Sequence, residues 1–400
     1  MVSGTVERVF REEYGRAVSV LVRTFGDIDL AEEAVQEAFA AALQRWPDGG
    51  APPSPAGWII TTARNHAIDR LRREARRAEK HAEADLIYNV PPDEPDDRLQ
   101  LIFTCCHPAL ARHAQVALTL RLLGGLTTPE IARALLVPEP TLAQRIVRAK
   151  TKIRDAGIPY RVPRAADLPD RLAAVLAVVY LIFNEGYAAS SGGLIRDDLC
   201  AEAIRLGRML RRLMPDEPEV AGLLALMILA AARRPARVDE SGGLVPLPRQ
   251  DRSRWDRDAI AEGHRLVREC LRRDRPGPYQ IQAAINAVHT DAPSAGATDW
   301  GQIVRLYDQL MMVAPSPVVE LNRAVAVAEM DGPDAGLRLV EGLPLPGYHV
   351  FHAVRADLLR RAGRLSEARV AYETAAELTD NTAERDYLLT QSSALSPPVS

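Results

Sequence analysis

The chain is 400 residues long, more than one hydrophobic core usually holds, so its length predicts two or three domains. With 47% hydrophobic residues, 26% charged residues and a formal net charge of -3, its composition is that of a globular protein. Residues 1–11 lack the apolar core of a signal peptide and no apolar run reaches membrane-spanning length, which argues against secreted and membrane proteins and predicts a cytoplasmic one.

The charge lies in blocks rather than evenly along the chain. Residues 26–37 hold five acidic residues and no basic one, whereas residues 61–80 hold seven basic residues against three acidic ones. Residues 83–97 hold six acidic residues, no basic one and three prolines, which predicts an acidic flexible linker at 81–98. The small net charge therefore conceals separate acidic and basic surfaces.

Apolar residues recur at helical spacing nearly throughout, so the predicted fold class is all-α. The helix expected at 29–46 has an apolar stripe formed by Leu30, Ala34, Ala38, Ala42 and Trp46. Its other side is acidic and would repel DNA, so a positively charged protein surface is the expected partner. That side carries Asp29, Glu32, Glu33, Gln36 and Glu37. Glu32 and Glu33 are both expected to face solvent.

A second helix is predicted over 58–73, with the sequence WIITTARNHAIDRLRR. Its predicted apolar stripe is Ile60, Ala63, Ala67 and Leu71, and its polar residues include Asn65, Asp69, Arg70, Arg72 and Arg73. An aromatic and an amide beside a basic helix suit phosphate contacts and the capture of an unstacked base. An equally good interpretation makes Trp58, at the start of the helix, an ordinary core residue.

Residues 126–154 are predicted to form a helix-turn-helix. Thr128 can cap a first helix that begins at Pro129, and residues 137–140 break it. The second helix has a predicted apolar stripe of Leu142, Ile146, Ala149 and Ile153, opposite the polar residues Gln144, Arg145, Arg148 and Lys152. Such a helix can enter a DNA major groove, although a solvated basic face on an ordinary bundle fits the same spacing.

The order of these blocks resembles the extracytoplasmic-function sigma factors, two-domain initiation factors of bacterial RNA polymerase. The matching blocks are DLAEEAVQEAFAAALQRWP at 29–47, WIITTARNHAIDRLRR at 58–73 and the helix-turn-helix at 126–154, and together they span about residues 5–158. The resemblance implies a helical sigma region 2 at 5–80 and a sigma region 4 at 99–160. It further implies a non-catalytic factor that binds core RNA polymerase, directs it to promoter DNA and helps to melt the duplex.

The same resemblance implies roles for individual residues. The acidic residues Asp29, Glu32, Glu33, Gln36 and Glu37 fall where the family docks on the polymerase clamp. Asn65, Asp69, Arg70, Arg72 and Arg73, with Trp58 at the entrance of their helix, fall where it recognises and melts the minus-ten element. Thr141, Gln144, Arg145, Arg148 and Lys152 fall on the helix that reads the minus-thirty-five element. The loop PDGGAPPSPAG at 47–57 corresponds to a family loop that helps to hold a flipped promoter base.

Residues 168–400 extend beyond the minimal members of that family. An apolar helix is predicted from 168, ending in a Gly/Ser-rich loop by 193. Over 352–378 the spacing resembles a tetratricopeptide repeat, with Ala356 and Leu359 on one helix, Gly363 in a turn, and Ala368, Tyr372 and Ala375 on the next. A weaker helix pair is expected around 318–339. The chain thus resembles the sigma-factor subgroup with a fused C-terminal tetratricopeptide-like domain, which implies regulation in cis.

Stacked helix pairs leave a groove for a peptide or protein, so a partner of that kind is expected in the C-terminal region. That region contains no nucleophile elbow, phosphate loop or HExxH motif, so neither an enzyme nor a cofactor is expected. A stand-alone helix-turn-helix regulator with a sensing repeat domain is the second hypothesis, but it leaves the acidic helix without a purpose. An enzyme fused to a DNA-binding module is the third.

Four residues, Cys105, Cys106, His107 and His113, raise the question of a zinc site. Their spacing suits zinc poorly, and buried thiols in a helix pair are the favoured interpretation. A redox response of the adjacent cysteines remains an alternative. The four cysteines of the chain form no CxxC pair, which suits a reducing compartment.

Overall fold

The computed structural model describes residues 2–77, 97–135, 137–187, 191–192, 197–239 and 243–395. The chain divides into two compact units, Met1–Leu181 and Ile182–Ser400. Both units are helical, which confirms the predicted fold class, and the strands of the described residues are β1 (Ser191–Gly192) and β2 (Asp380–Asn381), paired in parallel. Among the described helices, none has both the length and the apolar character needed to cross a bilayer.

The first unit begins with three long helices that pack on one another. They are α1 (Val2–Phe25), α2 (Ile28–Gly49) and α3 (Pro55–Arg77). Gly26 takes a φ of 70°, which lets the chain turn between α1 and α2, and the Asp27 carboxylate caps α2 by accepting from the backbone N–H of Asp29 and Leu30. The predicted stripe of α2, from Leu30 to Trp46, is buried and faces the core of this bundle.

The next four helices include the predicted helix-turn-helix. They are α4 (Arg98–Cys105), α5 (Arg112–Leu122), α6 (Thr128–Ala134) and α7 (Glu139–Asp155). The cap of α6 is Thr127, not Thr128 as predicted, because Glu130 completes a reciprocal capping box with Thr127. The predicted stripe of α7 is confirmed, since Leu142, Ile146, Ala149 and Ile153 are all buried.

Three further expectations for the first unit need correction or delimitation. The core face of α3 runs through Ile59, Ala63 and Ala67, so the predicted Ile60 and Leu71 lie off it and Leu71 is exposed. Because α2 continues to Gly49 and α3 begins at Pro55, the loop expected at 47–57 is only 50–54. The linker expected at 81–98 lies outside the described residues except for its last two, and the final one, Arg98, already begins α4.

After the first of them, the remaining helices pack in chain order, each against the next. They are α8 (Leu168–Tyr187), α9 (Asp197–Leu213), α10 (Pro218–Ala232), α11 (Arg257–Arg273), α12 (Pro278–Asp291), α13 (Trp300–Val313), α14 (Pro317–Asp331), α15 (Pro333–Val340), α16 (His349–Arg361), α17 (Leu365–Leu378) and α18 (Thr382–Ser393). Short 3-10 helices occupy Arg234–Ala236, Leu247–Arg249, Arg252–Arg254 and Ala295–Ala297. Of the expected Gly/Ser-rich loop, residues 188–190 and 193 lie outside the described residues, whereas residues 191–192 form β1.

The repeat-like segment folds as its spacing predicted. Gly363, with a φ of 77°, lies in the turn between α16 and α17. The predicted contact residues Ala356, Leu359, Ala368, Tyr372 and Ala375 are all buried. The weaker pair expected around 318–339 corresponds to α14 and α15, and residues of α14 to α18 share one hydrophobic core. The segment is therefore a stack of helix pairs rather than an isolated hairpin.

Candidate macromolecule-binding surfaces

The acidic residues of α2 divide into an outer set and a covered set. Asp29, Glu33, Gln36 and Glu37 are exposed, as the sequence predicted for this helix. The expectation that Glu32 faces solvent is wrong, because this residue is only 5% exposed. It lies on the side of α2 that faces α5 and α7, where two basic side chains surround its carboxylate.

Glu32 is the centre of a buried ionic cluster. One carboxylate oxygen accepts from Arg121 Nε on α5, and the other lies 2.6 Å from Lys150 Nζ on α7. The same ammonium group lies 2.7 Å from Asp29 Oδ1. Only 6% of the Glu32 side chain, 12% of Lys150 and 16% of Arg121 are exposed. Burial opposes the charge of Lys150, but the carboxylates of Glu32 and Asp29 outweigh it and raise the pKa of Lys150.

The outer acidic residues of α2 pair with basic residues of α3. Glu33 accepts from Arg70, whose Nε also lies 2.9 Å from Glu74 Oε1, and Glu37 lies 3.0 Å from His66 Nδ1. Arg70, a predicted DNA contact, is therefore held by two carboxylates in this structure. These pairs are partly exposed, so each contributes no more than about 1 kcal/mol to stability and is easily exchanged.

The other polar residues predicted on α3 lie away from its core face. Asn65, Asp69 and Arg73 are exposed, and Arg72 is half-buried. Trp58 is also half-buried, and its ring meets that of the buried Trp46 edge to face at a centroid distance of 5.6 Å. The core interpretation of Trp58 thus holds in part, because one side of the ring packs in the bundle while the rest remains accessible, and its role in DNA binding stays a prediction.

The α7 helix presents a basic, solvent-facing strip opposite its buried stripe. Thr141, Gln144, Arg148 and Lys152 are exposed and Arg145 is half-buried. These residues recur at three- and four-residue intervals, so their side chains share one face and can follow a groove of a DNA duplex. Lys150 instead points to α2. The basic residues of α7 therefore serve two different faces of the helix.

Sequence reasoning missed the cluster around Glu32. Lys150 lies 118 positions from Glu32 and Arg121 lies 89 positions away, so no local periodicity connects them. The one local signal was that Lys150 directly follows Ala149 of the buried stripe, at its edge. A cation in that position suggests a packed partner, but the sequence does not identify which acidic residue it meets.

The cysteines are structural. Cys105 and Cys106 are buried, which confirms the favoured interpretation, and Cys106 Sγ lies 3.6 Å from the Thr119 hydroxyl; Cys200 and Cys270 are buried too. Burial raises the pKa of Cys106 to about 12. Burial also raises the pKa of Cys105, with Cys106 adding to the shift. Within the described ranges, no three His, Cys, Asp or Glu side chains gather in a way that could hold a metal ion.

The second unit contains a pocket of about 450 Å³ between its later helices. Aliphatic side chains and four large aromatic ones form most of its wall, the aromatic residues being Trp300, Tyr307, Tyr372 and Tyr387. Its charged residues include Arg361, which pairs with Glu329 at 2.5 Å, and Arg252, which donates to the carbonyls of His289 and Ala292. With its charged groups paired within the protein, the pocket presents a mainly apolar, aromatic surface.

Three family models match the chain. They are Sigma-70 region 2 at residues 9–77, Sigma-70 region 4 at residues 100–153, and a family of unknown function (DUF6596) at residues 171–271. The first runs from within α1 to the end of α3, the second covers the α4 to α7 segment to within two residues of either end, and the third extends from α8 to α11.

Two curated relatives illustrate the similarity. The chain is 46% identical to the uncharacterized protein R00370 of Rhizobium meliloti (strain 1021) over 94% of this chain and 92% of the relative. It is 27% identical to the ECF RNA polymerase sigma factor SigK of Mycobacterium ulcerans (strain Agy99), over 35% of this chain and 75% of the relative. No solved structure matches the chain significantly.

Proposed function

This chain belongs to the family of Rhizobium meliloti R00370 and, with its sigma-70 regions 2 and 4, is an extracytoplasmic-function-type sigma factor, and from that premise we propose how its surfaces divide the work of transcription initiation. Membership implies that it binds core RNA polymerase and promoter DNA. The observation that carries the proposal is the segregation of charge, with the acidic residues on α2 and the exposed basic strip on α7. We assign the first to polymerase and the second to DNA.

For polymerase, we propose that Asp29, Glu32, Glu33, Gln36 and Glu37 form the docking surface. Exposed carboxylates on one helix create a negative field that attracts a cationic protein surface and repels DNA. The exposure of Glu33, Gln36 and Glu37 supports direct contact, with the exposed pairs of Glu33 and Glu37 exchanged on binding, whereas the buried Glu32 must first be uncovered.

For the minus-ten element, we propose Trp58, Asn65, Asp69, Arg70, Arg72 and Arg73 of α3, assisted by the short loop 50–54. An accessible aromatic edge can support an unstacked base, and a nearby amide can bond a base edge. Arginines along the same helix can neutralise phosphates. The exposure of Asn65 and Arg73 and the partial exposure of Trp58 support this assignment.

For the minus-thirty-five element, we propose Thr141, Gln144, Arg145, Arg148 and Lys152 of α7. Arg148 and Gln144 have the side-chain types that form paired hydrogen bonds with guanine and adenine edges in the major groove. The exposed strip on α7 supports a helix laid into that groove.

For the second unit, we propose a fused tetratricopeptide-like domain that regulates transcription in cis, with the aromatic pocket as the binding place of a peptide. The α14 to α18 stack and the apolar pocket wall support this interpretation. The factor would act in the cytoplasm, together with the polymerase, and carry out no catalysis of its own.

Run-off transcription with purified core polymerase and genomic promoter fragments tests the proposal. The full chain should give promoter-dependent transcripts, and a chain ending after residue 187 should give them at a different rate if the second unit regulates. The truncation point keeps α8, because Arg171 on that helix donates to the Phe103 carbonyl and Arg112 donates to Ala174. Absence of both transcription and core binding would refute the sigma assignment, while equal rates for the two chains would refute regulation in cis.

Replacing Glu33 and Glu37 with Lys tests the docking surface. Both residues are exposed, so the fold should survive, and their reversed charges should reduce core affinity by at least about tenfold through like-charge repulsion. A matched charge reversal at the exposed Glu12 of α1 serves as the control, since that position lies on a different helix. Unchanged core affinity in the double variant would remove α2 from the docking surface.

A further inference from the structure

The acidic cluster belongs to a larger contact between the segments matched by the two sigma regions. Helix α1 packs against α4 and α5 as well as against its own bundle. Tyr160, which follows α7, donates its hydroxyl to the Ser19 carbonyl on α1 at 2.8 Å. Arg23 at the end of α1 lies 2.6 Å from the buried carboxylate of Asp97 before α4. The region 4 helices are therefore seated on region 2 through several independent contacts.

This arrangement covers a specific part of α2. Lys150 and Arg121 both pair with the buried Glu32, and Lys150 also pairs with Asp29, whose side chain stays 62% exposed. The strip of α7 assigned to the minus-thirty-five element stays exposed at the same time. The seated arrangement thus conceals one carboxylate of the proposed polymerase surface, that of Glu32, and pairs a second, that of Asp29, while the proposed DNA-reading face of region 4 stays accessible.

We propose that region 4 acts as an intramolecular competitor of core polymerase, holding the factor in a closed form in which Lys150 and Arg121 cover Glu32 and Lys150 also neutralises the exposed Asp29. The inference rests on the proposed docking role of α2 and adds its regulation. Core polymerase binds fully only when region 4 leaves α2, so the measured affinity is reduced by the fraction of molecules that are closed.

The physical argument is that Glu32 is tolerated under region 4 only because two cations neutralise it. A buried carboxylate without partners carries a desolvation cost that its hydration in an open form would relieve. Removing both cations should therefore shift the equilibrium from the closed to the open form. The cations themselves lie outside the residues assigned to polymerase or DNA contact.

The test replaces Arg121 and Lys150 with Met in the full chain, which keeps much of each apolar stem. Arg154→Met is the matched control, because Arg154 lies on the same helix, is exposed and pairs with its chain neighbour Asp155 at 3.3 Å. Gly15→Ala is a second variant that leaves every charge in place and instead introduces a methyl group where α1 meets the end of α5.

Two measurements separate the possible failures. Hydrogen exchange on the isolated protein should show faster exchange in α2 and at Tyr160 for the double variant and for Gly15→Ala, with α16 and α17 unchanged. Core affinity, measured by fluorescence anisotropy, should rise by about tenfold or more in both variants and stay at the wild-type value in Arg154→Met.

Faster exchange with unchanged or weaker core affinity would overturn the masking proposal and leave the sigma function intact. Unchanged exchange in both opening variants would overturn it too, because the closed form would not depend on these contacts. If no variant and no wild-type protein bound core, the proposed function would fail and the masking proposal with it, and the exchange data would show whether region 4 had opened.

Discussion

Gly15 allows α1 and the end of α5 to approach closely, so replacing it with Ala should weaken the seating of region 4. A Cβ atom at this position would lie 2.9 Å from the Leu123 carbonyl oxygen and 3.1 Å from its Cα. Both are backbone atoms, which cannot move aside by changing a rotamer. The methyl group can be accommodated only if the two helices separate by several tenths of an ångström.

Two opposing terms determine the size of the effect. Ala is favoured over Gly in a helix interior by about 1 kcal/mol. Overpacking a tight contact costs about 1–3 kcal/mol. Relative to the unfolded chain, the closed arrangement should therefore lose between about 0 and 2 kcal/mol. The intrinsic gain is present in both closed and open forms, so the equilibrium between them responds to the overlap alone and should shift toward the open form by about 1–3 kcal/mol.

Native-state hydrogen exchange measures this local opening better than a global unfolding curve, because a chain of two units need not unfold in one step. We expect faster exchange in α5 and at Tyr160 in Gly15→Ala. Gly301→Ala in α13 is the control, since the nearest atoms to its Cβ lie 3.4 Å or more away and the substitution should be neutral or stabilising. If hydrogen exchange in α5 were no faster in the Gly15→Ala variant than in the wild type, the steric argument would be refuted.

Three other substitutions or treatments test separate parts of the molecule. Arg148→Ala should weaken binding of holoenzyme to its own upstream element by about 1–3 kcal/mol, and an equal loss on unrelated DNA in a competition assay would reassign Arg148 to a phosphate contact. Burial, with Arg233 and Arg252 nearby, lowers the pKa of His289 to about 3. The unfolded chain then binds more protons between pH 3 and 6.5, so acid destabilises the second unit, by about 2 kcal/mol between pH 7 and pH 5. Urea unfolding monitored within that unit should show this slope, and His289→Gln should reduce it; an equal slope in the variant would show that other groups cause it. Iodoacetamide should leave Cys106 unmodified in the native protein at pH 8, because the thiol is buried, and rapid labelling under native conditions would contradict that burial.

Sequence periodicity predicted the features that depend on the pattern of residues within a single helix. The α2 and α7 stripes could be predicted because each consists of apolar residues one helical turn apart on a single face. On α3, two adjacent isoleucines made the phase ambiguous, and the structure buries Ile59 rather than Ile60. Adjacent threonines created the same ambiguity for the α6 cap, which the position of Glu130 decides.

The exposure of Glu32 was predicted wrongly for a different reason. On α2 its position reads as solvent-facing, since it lies beside the exposed Glu33 and outside the apolar stripe. Only tertiary packing brings Arg121 and Lys150 over it, and pattern analysis of one helix contains no information about which distant cation will approach. The candidate surfaces could thus be predicted from the sequence, but the competition for them could not.

The pairing of α2 with α3 bears on the order in which the transcription complex assembles. Arg70 cannot give the same N–H groups to a promoter phosphate while Glu33 and Glu74 accept them. A cationic polymerase surface that binds Glu33 would release Nη1 of Arg70, next to the exposed Asn65 and Arg73, while Nε stays paired with Glu74. Polymerase would then bind before DNA. In the isolated factor, Arg70 would contribute less to DNA affinity than it does once polymerase has bound.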